Sequence, residues 1–89
     1  MITRTATIAS RVGLHARPAA IFADAAEESD FEITISFNGE EADAASVLDV
    51  MSLGAMHGDE VVLSSDDDAA GPDLDRLVEL LSQDLDAKE

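Results

Sequence analysis

The chain has 89 residues, 46% of them hydrophobic, with 20 acidic side chains against five basic ones and a formal net charge of −15. That length predicts one domain over residues 1–89, with a compact core, because so short a chain buries only about 60% of its unfolded surface. The lack of cysteine excludes disulfides, thiolate nucleophiles and Cys-ligated metal sites, the acid excess argues against a nucleic-acid partner, and no stretch approaches the ~20 apolar residues of a membrane span.

The start, MITRTATIAS, carries no continuous apolar run of the kind a secretion signal needs, so a cytoplasmic location is expected. Residues 2–8 alternate, with Ile2, Ala6 and Ile8 on one side and Thr3, Thr5 and Thr7 on the other, and read as a strand with Arg4 as an imperfection. Residues 9–15, with Ser10 and Gly13, read as a loop. From Ala16 to Glu28 the chain is Ala-rich, and Ala19, Phe22, Ala23 and Ala26 recur at the spacing of one buried helical face. Residues 31–37 alternate strictly, Phe31, Ile33, Ile35 and Phe37 against Glu32, Thr34 and Ser36. Asn38-Gly39 then supplies the two positive-φ positions of a type I′ turn, which predicts a tight hairpin into residues 40–43.

A short helix is expected over residues 47–53, ended by Gly54 in the left-handed conformation. Residues 60–64 read as a fourth strand, and Asp66, Asp67 and Asp68 as a solvated acidic loop without the ligand spacing of a calcium site. The last helix begins near Gly71-Pro72, with Leu74, Leu77, Val78, Leu81 and Leu85 as its apolar stripe and Asp73 and Asp75 near its positive end. Four strands with amphipathic helices on one face make a two-layer α+β sandwich.

The charges are unevenly distributed. No Asp or Glu precedes Asp24, whereas Arg4, Arg11 and Arg17 do. In a chain this acidic, the gap suggests a place where a bound anion must not be repelled. The acids elsewhere run along most of the chain, which favours adaptation to high salt over a surface shaped for one basic partner. At 1 M salt the screening length falls to about 3 Å, and self-repulsion is muted.

The segment Arg11-Val12-Gly13-Leu14-His15-Ala16-Arg17-Pro18 concentrates the chemistry. His15 falls at the cap of the first helix, where N–H groups and partial positive charge favour an anion. Ala16 and Arg17 bring N–H groups to that turn; Pro18 has none, at a position where none is needed. Gly13 is expected to let the backbone bend close to the imidazole, and Arg17 adds a planar cation able to fork onto phosphate oxygens. A phosphoryl group on neutral His15 would meet these groups without metal, cofactor or deep pocket, since such transfer asks mainly for positioning and charge stabilisation. On local physics alone a polar loop histidine is an equal reading.

The run Gly13-Leu14-His15-Ala16-Arg17-Pro18-Ala19 resembles the active-site signature of the histidine-containing phosphocarrier family of the phosphoenolpyruvate-dependent sugar phosphotransferase system. A second family motif, Ser46-Val47-Leu48-Asp49-Val50-Met51-Ser52-Leu53-Gly54, follows at the family's spacing, and the hairpin and closing helix fall in family order. The resemblance implies an open-faced sandwich, a four-stranded antiparallel sheet with three helices on one face. It implies that His15 is phosphorylated on Nδ1 by Enzyme I, itself charged from phosphoenolpyruvate, and that the group passes to the IIA domain of a sugar permease. Delivery to a dihydroxyacetone kinase subunit is a variant within that class. Arg17 steadies the phosphoryl group, Ala16, Ala20, Val47, Leu48 and Met51 dock partners, and the protein is a covalent carrier rather than an enzyme, expected as a monomer.

Val50 and Leu53 are the better core candidates of the second motif. Ser46 matches a position that some relatives phosphorylate for regulation. With Asp49 three residues on, it reads instead as a cap for the short helix, and Asp49 would repel a phosphate there. Relatives typically carry Lys on the docking face, whereas Asp24, Glu27 and Asp49 stand there here. His57, beside Gly58, reads as an exposed loop residue. The rival from another class is a docking module without phosphoryl chemistry, against which the retained His15 and Arg17 argue.

Overall fold

The computed structural model describes residues 1–83. Its elements are β1 (Ile2–Thr7), α1 (Ala16–Glu27), β2 (Thr34–Phe37), β3 (Glu40–Asp43), α2 (Val47–Ser52), β4 (Glu60–Ser65), a 3₁₀ turn (Asp68–Ala70) and α3 (Gly71–Leu81). The strands form one antiparallel sheet in the order β1-β4-β2-β3. The helices pack on one face of it, the α+β open-faced sandwich expected from the sequence.

Register explains which face is covered. Pairing sets Arg4, Leu63, Ile35 and Ala42 in one row and Ala6 beside Val61 in the next, all on the helix side. The other face carries Thr3, Ser64, Thr34 and Asp43, then Thr5, Val62, Ser36 and Glu41, and stays open to solvent. Strict alternation in the sequence maps onto this division because side chains change face at every residue. Phe22, Ile8, Ile35, Leu63, Leu74, Leu81, Val50 and Val61 are the largest fully buried apolar side chains, each stabilising by about 1.5–3 kcal/mol. The buried face of α1 is Pro18, Ala19, Phe22, Ala23 and Ala26. Its alanines let α1 pack closely against α2 and α3, with one phenylalanine as the anchor.

Several boundaries differ from expectation for local reasons. The second strand begins at Thr34 rather than at residue 31 because the Ser29 hydroxyl accepts the Phe31 N–H at 3.1 Å, and the chain is still turning there. That hydroxyl also donates to Asp73 Oδ2 at 2.5 Å, tying the end of α1 to the start of α3. The hairpin is as predicted: Asn38 has φ +55° and Gly39 φ +87°. The acidic loop is more ordered than a solvated tract, since Asp67 accepts the Ala69 N–H at 2.9 Å and caps the 3₁₀ turn, while Asp68 pairs with the N-terminal ammonium at 3.2 Å.

Arg4 is no imperfection. It faces α3, where its Nε donates to Asp75 Oδ1 at 2.8 Å. Gly71 opens α3 beside it, and a Cβ there would stand 3.2 Å from the Ile2 side chain and 3.5 Å from the Arg4 guanidinium. Leu74, Leu77 and Leu81 of the expected stripe are buried and Val78 is half-buried; Leu85 lies outside the described residues. No helix among the described residues is long and apolar enough to cross a membrane.

Candidate functional site

His15 is the N-cap of α1. Its backbone is extended (φ −86°, ψ −165°), and its carbonyl accepts the Ala19 N–H at 2.8 Å, the first bond of the helix. The imidazole makes no capping hydrogen bond, so the ring is not consumed by the helix that it begins. Leu14 before it and Pro18 after it are buried, whereas His15, Ala16 and Arg17 are exposed. Two anchored neighbours thus hold the histidine outward at a helix's positive end, where an anion gains most from the first-turn N–H groups. The first turn of α1 contains no acidic residue to oppose such a charge.

The loop before His15 is fixed by backbone bonds. Gly13 N–H donates to the Ser10 carbonyl and Leu14 N–H to the Ala55 carbonyl, both at 2.9 Å. Gly13 has φ +74°, and a Cβ there would stand 2.6 Å from the Ala55 oxygen and 2.8 Å from the Met56 Cα. Its role therefore differs from the expected approach to the imidazole. Gly13 lets the loop lie flat against residues 55–56, and the histidine is positioned as a result.

Helix α2 packs against α1. Its cap is Ser46, whose Oγ accepts the Asp49 N–H at 3.3 Å. The reciprocal half of a capping box is missing, because Ser46 N–H donates to the Asp43 carbonyl at 3.0 Å instead. Val50 is fully buried and Leu53 nearly so, as expected. Of the residues expected to dock partners, Leu48 is 77% exposed and Ala16 is exposed, while Ala20, Val47 and Met51 are half-buried, Val47 and Met51 leaning on the core.

Two exposed apolar side chains at the same end were not singled out from the sequence. Met56 is 49% exposed, with its sulfur beside Gly13, and Val12 is 39% exposed in the loop before His15. The available signal was a large apolar residue within a turn-rich segment, where burial is not expected. His57 is exposed, as predicted. Among the described residues no group of three or more His, Cys, Asp or Glu side chains is placed to hold a metal ion.

With this geometry in view, the comparisons are consistent with one another. Residues 2–83 match the family model described as the PTS HPr component phosphorylation site. The phosphocarrier protein HPr of Streptomyces coelicolor is 42% identical over 86 residues, covering 96% of this chain and 92% of that protein. The HPr of Vibrio cholerae is 35% identical over 83 residues, covering 93% and 98%. A crystal structure of an HPr from Thermoanaerobacter tengcongensis superposes with a TM-score of 0.88 at 31% identity, covering 100% of both chains. The HPr of Bacillus anthracis gives 0.84 at 26% identity, over 90% of this chain and 95% of that one. The chain belongs to the HPr family, the phosphocarrier components of the phosphotransferase system.

Proposed function

We propose that His15 is the residue that carries the phosphoryl group, accepting it on Nδ1 from Enzyme I charged by phosphoenolpyruvate and donating it to the IIA domain of a sugar permease. The observation that carries this reading is an exposed imidazole at the cap of α1, unused in capping and followed by Arg17 in a first turn free of carboxylates. In the accepting transfer the unprotonated Nδ1 attacks phosphorus as the bond from phosphorus to the donor atom of Enzyme I breaks, and the electron pair of that bond stays on the donor atom. The added negative charge falls beside the Ala16 and Arg17 amides and the Arg17 guanidinium. The reverse displacement, by the acceptor's nucleophile, returns neutral His15. Stabilisation of that charge is the protein's main contribution, as expected for a loose phosphoryl-transfer transition state.

Docking is assigned to Ala16, Ala20, Val47, Leu48 and Met51, with Leu48 as the most exposed apolar contact. The unit is residues 1–89 acting as a cytoplasmic monomer, and a dihydroxyacetone kinase subunit is the alternative acceptor. Ser46 is read as a cap rather than a regulatory phosphorylation site, because its Oγ is engaged by the Asp49 N–H and Asp49 is an acidic residue in the same first turn.

Incubation with Enzyme I and labelled phosphoenolpyruvate tests the assignment. Acid-labile label is expected on the wild type, transferable to a IIA domain, and none on a folded His15→Ala variant. Equal labelling of the two would reject His15 as carrier.

A further inference from the structure

We propose that Asp59 is a positioning residue for phosphoryl transfer at His15, acting through the Ala55–Met56 peptide group rather than by touching the phosphoryl group. The proposal rests on the phosphocarrier reading of His15 and adds a residue that holds the histidine in place.

One peptide group links the two residues. Its N–H, that of Met56, donates to Asp59 Oδ2 at 2.9 Å. Its C=O, that of Ala55, accepts the Leu14 N–H at 2.9 Å. Leu14 is buried and directly precedes His15. Gly13 lies against the same group, since a Cβ there would stand 2.6 Å from the Ala55 oxygen and 2.8 Å from the Met56 Cα. A rotation of this peptide would therefore withdraw the acceptor from Leu14 and disturb the seat of Gly13 together. The Asp59 carboxylate opposes that rotation, and an ionised acceptor makes the stronger kind of hydrogen bond. It also polarises the amide, which strengthens the bond between the Ala55 carbonyl and Leu14.

The other bonds of the 55–59 segment show why the carboxylate has this leverage. Asp59 N–H donates to the Met56 carbonyl at 3.0 Å, so Asp59 holds both polar groups of the Met56 backbone. Gly58 N–H donates to the Ile8 carbonyl and Ile8 N–H to the Asp59 carbonyl, both at 2.8 Å. The loop of residues 8–14 is thus fastened to one short segment at both ends, and His15 is the next residue out. At the Ile8 end the fastening continues the β1–β4 ladder, whose last pair is Thr7 with Glu60. The Leu14 end has no strand behind it, because Ala55 and Met56 lie between α2 and β4. There the Asp59 side chain supplies the bond that a ladder supplies at the other end.

The carboxylate is half-buried and turned onto a backbone N–H, so its task in the turn is to accept. Asn offers an acceptor oxygen in the same place without the charge, and Ala offers none. The two replacements therefore separate hydrogen bonding from electrostatics.

The test compares wild type, Asp59→Ala and Asp59→Asn in the rate of phosphoryl transfer from phosphorylated Enzyme I, beside amide spectra of the unphosphorylated chains. Asp59→Ala is expected to slow transfer about tenfold, less than the ~100-fold that a misplacement of roughly 1 Å can cost. Asp59→Asn is expected to recover most of that loss. In the spectra, Asp59→Ala should shift the Met56, Leu14 and His15 amides and leave those of α3 in place. An Asp59→Ala variant that transfers as fast as wild type overturns the proposal, even if it melts lower. Equal slowing by Ala and Asn would assign the effect to charge and overturn it too, as would slowing with the Leu14 and His15 amides unmoved. Hydrogen exchange of the wild type decides the matter should Asp59→Ala fail to fold. The Met56 amide is expected to be protected although its residue is exposed, and exchange as fast as in a free peptide rejects the bond. Absence of transfer in wild type would reject the carrier reading of His15, a result distinct from wild-type transfer that is indifferent to Asp59.

Discussion

At the scale of single residues, the proposed carrier site depends on two side chains, His15 and Arg17, and on one that is absent. Arg17 lies two residues beyond His15 and is exposed. Replacing it with Ala is expected to lower the transfer rate about 10- to 100-fold, because a hydrogen bond to a charged group contributes about 1.5–3 kcal/mol. Melting of that variant, measured beside the rate, separates a charge effect from a folding defect. Gly13 works by lacking a Cβ. A methyl there would stand 2.6 Å from the Ala55 oxygen with φ at +74°, so Gly13→Ala must both strain its backbone and push two loops apart. A loss of about 1–3 kcal/mol in urea unfolding is expected, with slower transfer from the displaced His15. A variant as stable as wild type would remove the close approach from the explanation. The placement of His15 at a helix start beside Arg17 could be read from the sequence because it is local, but its chemistry could not: local physics left a polar loop histidine as an equal reading, and the family resemblance favoured the carrier. The task of Gly13 could not be read either, since the atoms that demand it belong to residues 55 and 56.

At the scale of elements, the helices and strands whose pattern is local were legible and those decided by distant partners were not. The buried face of α1 was read residue by residue, as was the Asn38-Gly39 hairpin, whereas in the short second helix periodicity did not separate buried Val50 from exposed Leu48, and only the family resemblance pointed to Leu48 as partner-facing. The start of β2 was misplaced because Ser29 and Asp73, separated by 44 positions, hold the preceding turn. Arg4 looked like a flaw in a strand because its partner Asp75 is 71 residues away. Helix α2 has only six residues, too few to persist alone, and relies on Val50 in the core and on Ser46 at its start. Ser46→Ala is expected to cost about 0.5–1 kcal/mol, toward the low end for a capping residue because the bond is 3.3 Å long. Hydrogen exchange should locate the loss in α2, with faster exchange at Asp49 and Val50. Transfer should slow with it if Leu48 is presented by an intact helix. Unchanged exchange in α2 would show that packing alone holds the turn.

At the scale of the whole molecule, charge separates stability from recognition. With a net charge of −15 on 89 residues, the folded chain repels itself at low ionic strength. The salt bridges do little to offset this, because Arg4–Asp75 and Arg76–Asp73 are both substantially exposed and such pairs contribute about 0–1 kcal/mol. The melting temperature is therefore expected to rise by several degrees between 0.1 and 2 M KCl, about 4–8 °C for each kcal/mol gained in a domain of this size. A flat or falling profile would contradict salt adaptation without touching the carrier chemistry. The open sheet face, with its Thr and Ser rows edged by Glu41 and Asp43, is polar throughout apart from Val62, so the apolar surface is left to the end of the molecule that bears His15.

The proposed function requires phosphorus to reside at the start of α1, and nuclear magnetic resonance of the phosphorylated chain reports its location directly. A phosphorus–nitrogen coupling to His15 Nδ1 is expected, with the largest amide shifts at Ala16 and Arg17 and little change in the strands. Phosphorus on His57 or on Ser46, or His15 labelled with the Ala16 and Arg17 amides unmoved, would contradict a carrier site built from this helix terminus.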